Sequence, residues 1–364
     1  MKKRFFYLVK LLSIMLFFSV LVMIFACGGG GGGTGNGGAE ILLGAAAYVE
    51  PGMTDPDVLD IENHNAKGNI FYVIADSNKS TWDDDNFTIP ERLKTNLRTA
   101  IEEAGTQAAS TGVKKYVFVQ EGTYIFMETR WDYFSMKNNV IIIGGFLGTE
   151  MDGKPRGKNK NTIISAEVNG SEHNAYHVFY NTNLDNTAEL RNVTIMGGNA
   201  NGDEVNLYGG GMVNGSNSNP TITGCYFVGN YAIQGGGGIY NFYSSPIFTN
   251  CTFQNNTSSR GGGICTTGDS RPTFNSKPTF NSCYFIGNTS SEGGGIYITG
   301  DSKPTFNSCY FIGNTAHSQG GGIYIDSGNI TWEGPASTVS GNVAGDAETN
   351  NIFPAGTPIN NTTP

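Results

Sequence analysis

GGGIYITGDSKPTFNSCYFIGN, which begins at Gly293, is the clearest copy of a unit that recurs along the second half of the chain. Related copies begin at Gly209, Gly236 and Gly261, and a fifth GGGIYI begins at Gly320 before the sequence turns polar. The hydrophobic residues that follow the glycine triplets are 27, 25, 32 and 27 residues apart, and the longest step contains PTFNSK followed directly by PTFNS. A repeat of this length predicts a solenoid, because a propeller blade needs about 40 residues or more.

Each unit is read as a set of short β-strands, since it is rich in β-branched and aromatic residues and holds no run of helix formers. Its length suits a coil of three strands in a parallel β-helix, with successive coils about 4.8 Å apart. The three strands are GGGIY, the Pro-Thr-Phe segment and Cys-x-Phe-x-Gly-Asn. Glycine and asparagine tolerate the left-handed backbone that a bend favours. The bend between the second and third strands falls on Gly224, Asn250, Ser282 and Ser308.

Three columns of side chains are expected to stack from coil to coil. Alternation along the third strand points a cysteine and a phenylalanine of each coil inward. The cysteines are Cys225, Cys251, Cys283 and Cys309. The phenylalanines are Phe227, Phe253, Phe285 and Phe311. Stacked asparagine amides at the next turn can form a ladder of hydrogen bonds. These asparagines are Asn230, Asn256, Asn288 and Asn314.

The cysteine column is interpreted as a row of small buried hydrophobic residues. An inter-coil disulfide is the alternative, because neighbouring Cα atoms would lie about 4.8 Å apart, although parallel Cβ vectors would leave the sulfur atoms poorly angled. The sequence holds no CxxC pattern, and no histidine shares the column, so we predict no metal site.

The glycine triplets followed by isoleucine, together with the tetrads FVGN, FQNN and two copies of FIGN, resemble the GGAI and FxxN repeats of chlamydial-type polymorphic outer membrane proteins. More broadly, the chain resembles bacterial right-handed parallel β-helix proteins of the pectate-lyase-like superfold. The repeats cover residues 209–342, and their third motif residue is glycine where the family has alanine. The resemblance implies an all-β fold, a right-handed single-stranded parallel β-helix, which we expect to carry an N-terminal capping helix.

The N-terminus carries a targeting segment. Residues 1–26 combine MKKR with a long apolar run and are interpreted as a signal peptide. The IFAC sequence that ends at Cys27 resembles a bacterial lipobox, which implies cleavage before Cys27 and its lipidation. Glycine-rich residues 27–68 would then be a flexible tether. This implies an exported protein that is lipid-anchored at the cell envelope, at the outer membrane and exposed on the surface. An uncleaved anchor and ordinary secretion are the alternatives.

The folded part is predicted over residues 69–342. Residues 90–109 form the one clear helix, with an apolar stripe at three- and four-residue spacing. This helix is expected to cap the hydrophobic end of the first coil. Irregular coils at 113–208 lead into the regular repeats at 209–342, and residues 343–364 form a polar tail.

Composition and charge limit the classes of partner. Glycine accounts for 52 of 364 residues and only 15% of the residues are charged, which fits stacked β-coils better than helices. The net charge is −9, and removal of the leader leaves 18 basic against 31 acidic residues, or −13. This balance argues against nucleic acid and against electrostatic docking on anionic lipid.

No catalytic motif stands out. The repeats contribute few carboxylates, among them Asp269, Glu292, Asp301 and Asp326. Two of them occupy matching TGDS turns, where a turn role is the default, and the acidic run at 83–85 is interpreted as a solvated loop and not a Ca²⁺ site. The four histidines show no mutual metal-ligand spacing. We therefore predict a non-enzyme without cofactor or metal.

Two tyrosine columns are the candidate binding surface. Outward positions of the third strand carry Tyr226, Tyr284 and Tyr310. Outward positions of the first strand carry Tyr240, Tyr297 and Tyr324. Exposed tyrosine can stack on sugars or bind protein, and the alternative is cross-coil packing that stabilises the sheets.

The preferred interpretation is a non-catalytic binding, adhesion or display module. It is anchored to the membrane through its lipid and binds a glycan or a host or envelope protein. One alternative is a polysaccharide lyase or hydrolase with acidic residues lining the irregular coils. A second is a structural or antigenic envelope protein. The oligomeric state is left open.

Overall fold

The computed structural model describes residues 70–73, 93–94, 96–146, 162–168, 173–268, 276–333 and 338–345. The predicted signal peptide, Cys27, the tether and most of the polar tail lie outside the described residues. Within the described part, no helix is long and apolar enough to span a bilayer.

The described residues form helix α1 (Leu97–Thr111), a short 3-10 helix (Glu204–Leu207) and a long series of short strands. The strands before the first glycine triplet are β1 (Ile70–Val73), β2 (Leu93–Lys94), β3 (Lys115–Gln120), β4 (Gly122–Met127), β5 (Val140–Phe146), β6 (Thr162–Val168), β7 (Phe179–Thr182), β8 (Glu189–Arg191), β9 (Thr194–Met196) and β10 (Asn199–Ala200).

The later strands are β11 (Met212–Gly215), β12 (Thr221–Thr223), β13 (Tyr226–Val228), β14 (Tyr231–Gly235), β15 (Ile239–Phe242), β16 (Ile247–Thr249), β17 (Thr252–Gln254), β18 (Thr257–Arg260), β19 (Ile264–Thr267), β20 (Thr279–Asn281), β21 (Tyr284–Ile286), β22 (Thr289–Glu292), β23 (Ile296–Thr299), β24 (Thr305–Asn307), β25 (Tyr310–Ile312), β26 (Thr315–Gln319), β27 (Ile323–Ile325), β28 (Thr331–Glu333), β29 (Thr338–Ser340) and β30 (Val343–Ala344).

Four parallel sheets are built from these strands. Sheet A has the order β2-β1-β3-β5-β8-β12-β16-β20-β24-β28, and sheet B the order β4-β6-β9-β13-β17-β21-β25-β29. Sheet C has the order β7-β11-β15-β19-β23-β27, and sheet D the order β10-β14-β18-β22-β26-β30. From β11 onward the chain visits sheets C, A, B and D in turn and repeats that circuit. The predicted all-β parallel solenoid is therefore confirmed.

Each regular coil, from β11 onward, has four strands, so the expectation of three was wrong. The missed strands are those of sheet D, such as β18 and β22, whose sequences TSSR and TSSE are polar. Their inward positions carry small side chains, for example Ala232, Ser258 and Ala316, all buried. Strands with small inward residues and polar outward ones lack the apolar alternation on which strand assignment from sequence depends.

The bend from sheet A to sheet B has left-handed backbone in every regular coil. The φ angles there are 62° at Gly224, 53° at Asn250, 51° at Ser282 and 54° at Ser308. A proline directly precedes strands β12, β16, β20 and β24 of sheet A, where its missing N–H costs least, and its carbonyl accepts from the next coil. For example, Thr305 N–H donates to Pro278 O at 2.9 Å.

Two columns of stacked phenylalanine fill the solenoid. On sheet B, ring centroids are 5.1 Å apart between Phe227 and Phe253 and 4.6 Å apart between Phe285 and Phe311. On sheet A, the centroid of Phe280 lies 5.0 Å from that of Phe248 and 5.1 Å from that of Phe306. The two columns meet edge to face, at 5.8 Å. Parallel neighbours supply this packing, since no coil could bury its rings alone.

Helix α1 joins the core at the N-terminal end, as a cap is expected to do. Its buried stripe consists of Leu97, Ala100, Ile101, Ala104 and Ala108, and it packs against β1, β3 and β5.

The predicted start of this helix at residue 90 was wrong. Asn96 is the N-cap and accepts from the N–H groups of Arg98 and Thr99, while Leu93 and Lys94 pair with β1 as a strand. The helix ends at Thr111, beyond the predicted residue 109, because Gly112 takes left-handed backbone with φ 67°.

Candidate binding surface

The predicted cysteine column lies inside the solenoid, directly before strands β13, β17, β21 and β25, which pair in register. All four side chains are buried thiols. Each Sγ lies near a backbone carbonyl oxygen of the preceding coil, as in the 3.3 Å contact from Cys309 to Phe280 O. Burial, together with the neighbouring thiols, raises the pKa of Cys283 well above its ordinary value. A protonated, buried thiol has little reactivity, so the geometry fits the packing interpretation.

The asparagine column forms a continuous chain of hydrogen bonds. The Nδ2 of Asn230 donates to Oδ1 of Asn256 at 3.1 Å, and the same bond links Asn256 to Asn288 at 3.0 Å and Asn288 to Asn314 at 2.9 Å. Asn342 continues the chain beyond the predicted residues, because its Oδ1 accepts from Asn314 at 2.8 Å. Each Nδ2 also donates to a backbone carbonyl, which leaves no amide group of these four side chains unused.

A second buried polar ladder, inside sheet C, was not predicted. The Nδ2 of Asn181 donates to Asn214 Oδ1, and that of Asn214 to Asn241 Oδ1, both at 3.0 Å. The chain of amides stops where Thr266 takes the next position, and Nδ2 of Asn241 is buried without a hydrogen-bond partner there. The recurring Asn two residues after the hydrophobic residue of the triplet, as in MVN and IYN, is the signal that could have revealed this ladder.

The tyrosines predicted as a binding surface lie on two different sheets. Tyr284 and Tyr310 stack on sheet B, with centroids 4.6 Å apart and planes at 7°, whereas Thr252 separates Tyr226 from them. Nearly parallel rings cover one another's faces, so a sugar could not stack on the covered faces. This geometry favours the packing alternative for the sheet B column.

The sheet C column is interrupted by Cys265, which stands between Tyr240 and Tyr297. Tyr297 is only 3% exposed, it packs on Tyr324 at 5.6 Å, and the Arg260 guanidinium lies 5.5 Å from its ring centroid. Burial raises the pKa of Tyr297 to about 12. The ring faces in this column are thus largely occupied by the protein's own side chains.

An exposed aromatic cluster that sequence reasoning missed lies among the irregular coils. Trp131 is 64% exposed and Tyr133 is 43% exposed. Trp131 meets the ring of Tyr176 edge to face at 5.1 Å, and Tyr133 packs on Tyr180 at 5.3 Å. We call Arg130, Trp131, Tyr133, Tyr176 and Tyr180 the Trp131 patch. The only sequence signal was a tryptophan between charged residues in RWDY.

The turn that carries Trp131 is held on both sides. Oδ2 of Asp132 accepts from the N–H groups of Glu128 at 2.9 Å and Thr129 at 2.8 Å, and its Oδ1 pairs with Arg98 at 3.2 Å. Partial burial raises the pKa of Asp132, but these bonds outweigh it and lower the pKa below its ordinary value. Phe134 is buried and its N–H donates to Val178 O at 2.9 Å. The exposed rings therefore stand on an ordered support.

The side chain of Arg130 supports the same patch through contacts with neighbouring residues. Its guanidinium carbon lies 4.3 Å from the ring centroid of Tyr176, its Nε donates to Asn174 O at 3.1 Å, and its Nη2 donates to Oδ1 of Asn201. These contacts fix the orientation of Tyr176, on which Trp131 packs. The guanidinium of Arg130 is thus engaged in contacts within the protein.

The buried His177 contacts both Tyr180 of the patch and the loop that contains Asn206 and Gly209. His177 Nδ1 lies 3.0 Å from Gly209 O, and Nε2 lies 3.2 Å from Oδ1 of Asn206. Burial lowers the pKa of His177, more than these two bonds raise it. Val205, which precedes Asn206 in the sequence, is 55% exposed. We assign His177 a structural role, because its ring is enclosed by its partners.

The carboxylates named from the sequence that the structure describes contact different partners, although Glu292 and Asp326 are both close enough to Tyr297 and Tyr324 to raise the pKa of each tyrosine. Glu292 pairs with Arg260 at 3.3 Å, and Asp326 accepts from Thr299 at 2.8 Å on another coil. Asp269 and the acidic run at 83–85 lie outside the described residues. Among the residues that are described, no group of three or more His, Cys, Asp and Glu side chains is arranged to hold a metal ion.

Comparisons with known proteins bear on the fold. Residues 125–350 match the family model for the right handed beta helix region. No curated protein matches the chain. Among solved structures, the chain is similar to one described as the crystal structure of Escherichia coli YbhC, with 11% identity, a TM-score of 0.37, and coverage of 75% of this chain and 71% of that chain.

Proposed function

Since the chain belongs to the right-handed β-helix family, we propose that it is a non-catalytic binding module of the cell envelope. It is held there by a lipid on Cys27 and displays the Trp131 patch on a rigid solenoid. The partner is a glycan or a protein of the host or envelope.

The exposure of Trp131 and Tyr133 on an ordered turn is the observation that carries this proposal. Tryptophan, tyrosine and arginine are the residue types that dominate binding energy at protein surfaces. A cluster of large apolar side chains that is exposed to solvent indicates an interaction site, because most exposed side chains are polar. Asp132 and Arg130, two charged residues of this turn, are engaged in holding it, which favours binding over acid–base chemistry.

The envelope assignment is supported by the sequence. The signal-peptide pattern, the IFAC sequence at Cys27 and the glycine run that follows are together typical of bacterial lipoproteins. The GGGI and FxxN pattern of residues 209–342 resembles the repeats of polymorphic outer membrane proteins, and this resemblance supports the proposed location at the outer membrane and the cell surface.

Removing the acceptor of the lipid should release the protein. In a bacterial host that processes lipoproteins, Cys27→Ala is expected to abolish incorporation of labelled palmitate and to move the protein out of the membrane fraction. Cys265→Ala, which changes a buried cysteine of the solenoid, is the control and should leave both unchanged. Unaltered labelling and membrane association of Cys27→Ala would contradict the anchor.

Truncating the exposed rings should remove binding. The chain would be screened against arrays of glycans and of matrix and envelope proteins, and any hit compared with the Trp131→Ala/Tyr133→Ala variant. Loss of two central aromatic anchors is expected to weaken binding by at least about 2 kcal/mol, or roughly 30-fold in affinity.

The control for this experiment is Tyr284→Ala/Tyr310→Ala, which removes the stacked rings of sheet B. Circular dichroism would establish that both variants fold. Binding that survives in the Trp131→Ala/Tyr133→Ala variant but disappears in the sheet B variant would place the binding surface on sheet B instead.

A further inference from the structure

The Trp131 patch is the start of a column of outward side chains that runs along sheet D. The N–H of Tyr176 donates to Arg130 O at 3.0 Å, and the ring of Trp131 packs on that of Tyr176. In the next coil, the N–H of Asn199 donates to Ala175 O at 2.9 Å. Each donor thus bonds to the residue before its neighbour in the preceding coil, which places Trp131, Tyr176 and Asn199 at equivalent positions of three successive coils.

The column continues through the regular coils. Asn199 pairs in register with Tyr231, and Tyr231 pairs with Thr257. Thr257 pairs in turn with Thr289, and Thr289 pairs with Thr315. We call these outward residues, from the Trp131 patch to Thr315, the sheet D column.

The sheet D column is exposed at several coils and carries no charge. Trp131 is 64% exposed, Tyr231 is 37% exposed, and Thr257 is exposed as well. Ile233, at the next outward position of β14, is 44% exposed. The column consists only of tryptophan, tyrosine, asparagine and threonine, and the sequence from residue 205 to residue 259 holds no Asp, Glu, Lys, Arg or His. Its surface is therefore aromatic and hydrogen-bonding without being ionic.

The charged side chains at the ends of the sheet D strands and in the patch favour an uncharged ligand over an acidic one. The guanidinium of Arg130 is engaged by Tyr176, and Arg260 pairs with Glu292 at 3.3 Å. Asp203 and Glu204, which follow β10 in the chain, are exposed and acidic. A carboxylate or sulfate on the ligand would meet cations that already have partners and would be repelled by the net charge of −9.

We propose that the ligand of the Trp131 patch is an uncharged polysaccharide whose chain continues along the sheet D column. This inference rests on the proposed function and names the class of ligand. A sugar ring has apolar C–H faces and a rim of hydroxyl groups. Trp131 and Tyr231 pack against the faces, while Asn199 and Thr257 exchange hydrogen bonds with the hydroxyl groups.

The shape of the sheet D column favours a single extended chain over a protein surface. Six steps of about 4.8 Å give a length of about 29 Å from Trp131 to Thr315, and outward side chains of one strand are about 7 Å apart. A strip this narrow presents far less than the roughly 800 Å² that each partner buries in a stable protein complex. A polymer one sugar wide contacts the column with each successive unit.

An array of soluble glycans tests the charge of the ligand. The full chain would be applied to neutral glucans, mannans and galactans and to acidic polygalacturonate, alginate and heparin. We expect binding to at least one neutral glycan and none to the acidic ones. Binding only to acidic glycans or to proteins, if it is lost in Trp131→Ala/Tyr133→Ala, would leave the proposed function standing and overturn the uncharged ligand. No binding to any of them would overturn both.

Chain length and substitution test the path along sheet D. For a neutral glycan that binds, calorimetry should show an affinity about 10-fold higher for a hexasaccharide than for a disaccharide, because only the longer chain reaches Tyr231, about 14 Å from Trp131. Tyr231→Ala and Thr257→Glu should each lower the affinity for the hexasaccharide about 10-fold and leave that for the disaccharide unchanged.

The matched control is Thr305→Glu, which places the same carboxylate at an outward position of β24 on sheet A. It should bind both oligosaccharides as the wild type does, and circular dichroism would establish that all three variants fold. An affinity that does not depend on chain length, or equal binding by Thr257→Glu and Thr305→Glu, would overturn the path along sheet D.

Discussion

Replacing Gly262 by alanine is expected to disrupt the stacking of the third coil on the fourth. A Cβ at this position would lie 2.5 Å from Thr289 O, at the end of the same coil, and 2.7 Å from Gly294 O, at the start of the next, both of them backbone atoms one turn further along the chain. Backbone oxygens at these distances can yield only if the coils separate, and every sheet depends on their spacing of about 4.8 Å. We expect a loss of more than about 4 kcal/mol in the free energy of unfolding, or no folded protein.

Gly215→Ala is the matched control for this substitution. Gly215 is the last residue of β11. A Cβ added there would have Asn181 O as its nearest neighbour, at 3.8 Å, which is an ordinary van der Waals distance. Its free energy of unfolding should change by less than about 1 kcal/mol, because alanine also reduces the entropy of the unfolded chain. Thermal and urea unfolding followed by circular dichroism would compare the two, and equal effects would refute the role assigned to inter-coil contact.

The same contact explains why the motif needs three glycines. The first glycine of a triplet has left-handed backbone, as at Gly261 with φ 61°, a conformation that favours glycine. The third, Gly263, would place a Cβ 2.6 Å from Gly295 O. The second and third positions of the triplet therefore require glycine because the backbone of the next coil leaves no room for a Cβ, and not because of the turn. The sequence alone does not reveal this distinction.

Asn288→Ala is expected to have the second largest effect. The Asn288 side chain accepts from the N–H and Nδ2 of Asn256, both at 3.0 Å, and donates to Phe253 O and Asn314 Oδ1, both at 2.9 Å. Alanine would leave several of these buried groups without a partner, and each such group costs about 1–3 kcal/mol. The expected loss is about 4 kcal/mol in the free energy of unfolding, measured by urea unfolding.

Asn307→Ala tests whether burial in the ladder is the cause. Asn307 lies on the outer face of sheet A, partly exposed, where its Oδ1 accepts from the hydroxyl of Ser308 at 3.2 Å. Its loss should change the free energy of unfolding by less than about 1 kcal/mol. Asn288→Asp, which keeps the shape but removes the donor, should be as damaging as alanine at pH 7. Similar small losses at positions 288 and 307 would show that the ladder adds little.

Side chains that repeat at coil spacing could be placed from the sequence. The cysteine, phenylalanine and asparagine columns follow from the repeat, because one pattern applied to successive coils puts like residues in line. The start of α1 could not be placed, since Leu93 and Lys94 leave the helical pattern to pair with β1, a partner distant in sequence.

The sequence by itself determined that the chain winds as a parallel solenoid and that columns of cysteine, phenylalanine and asparagine line part of its interior, because each coil repeats the same local pattern. Only the tertiary structure decided which aromatic rings face solvent. The column tyrosines Tyr284 and Tyr297 pack against neighbouring coils, whereas Trp131, unremarkable in sequence, stands exposed on an irregular turn. Exposure depends on what the rest of the chain brings alongside a side chain, and no local pattern specifies that.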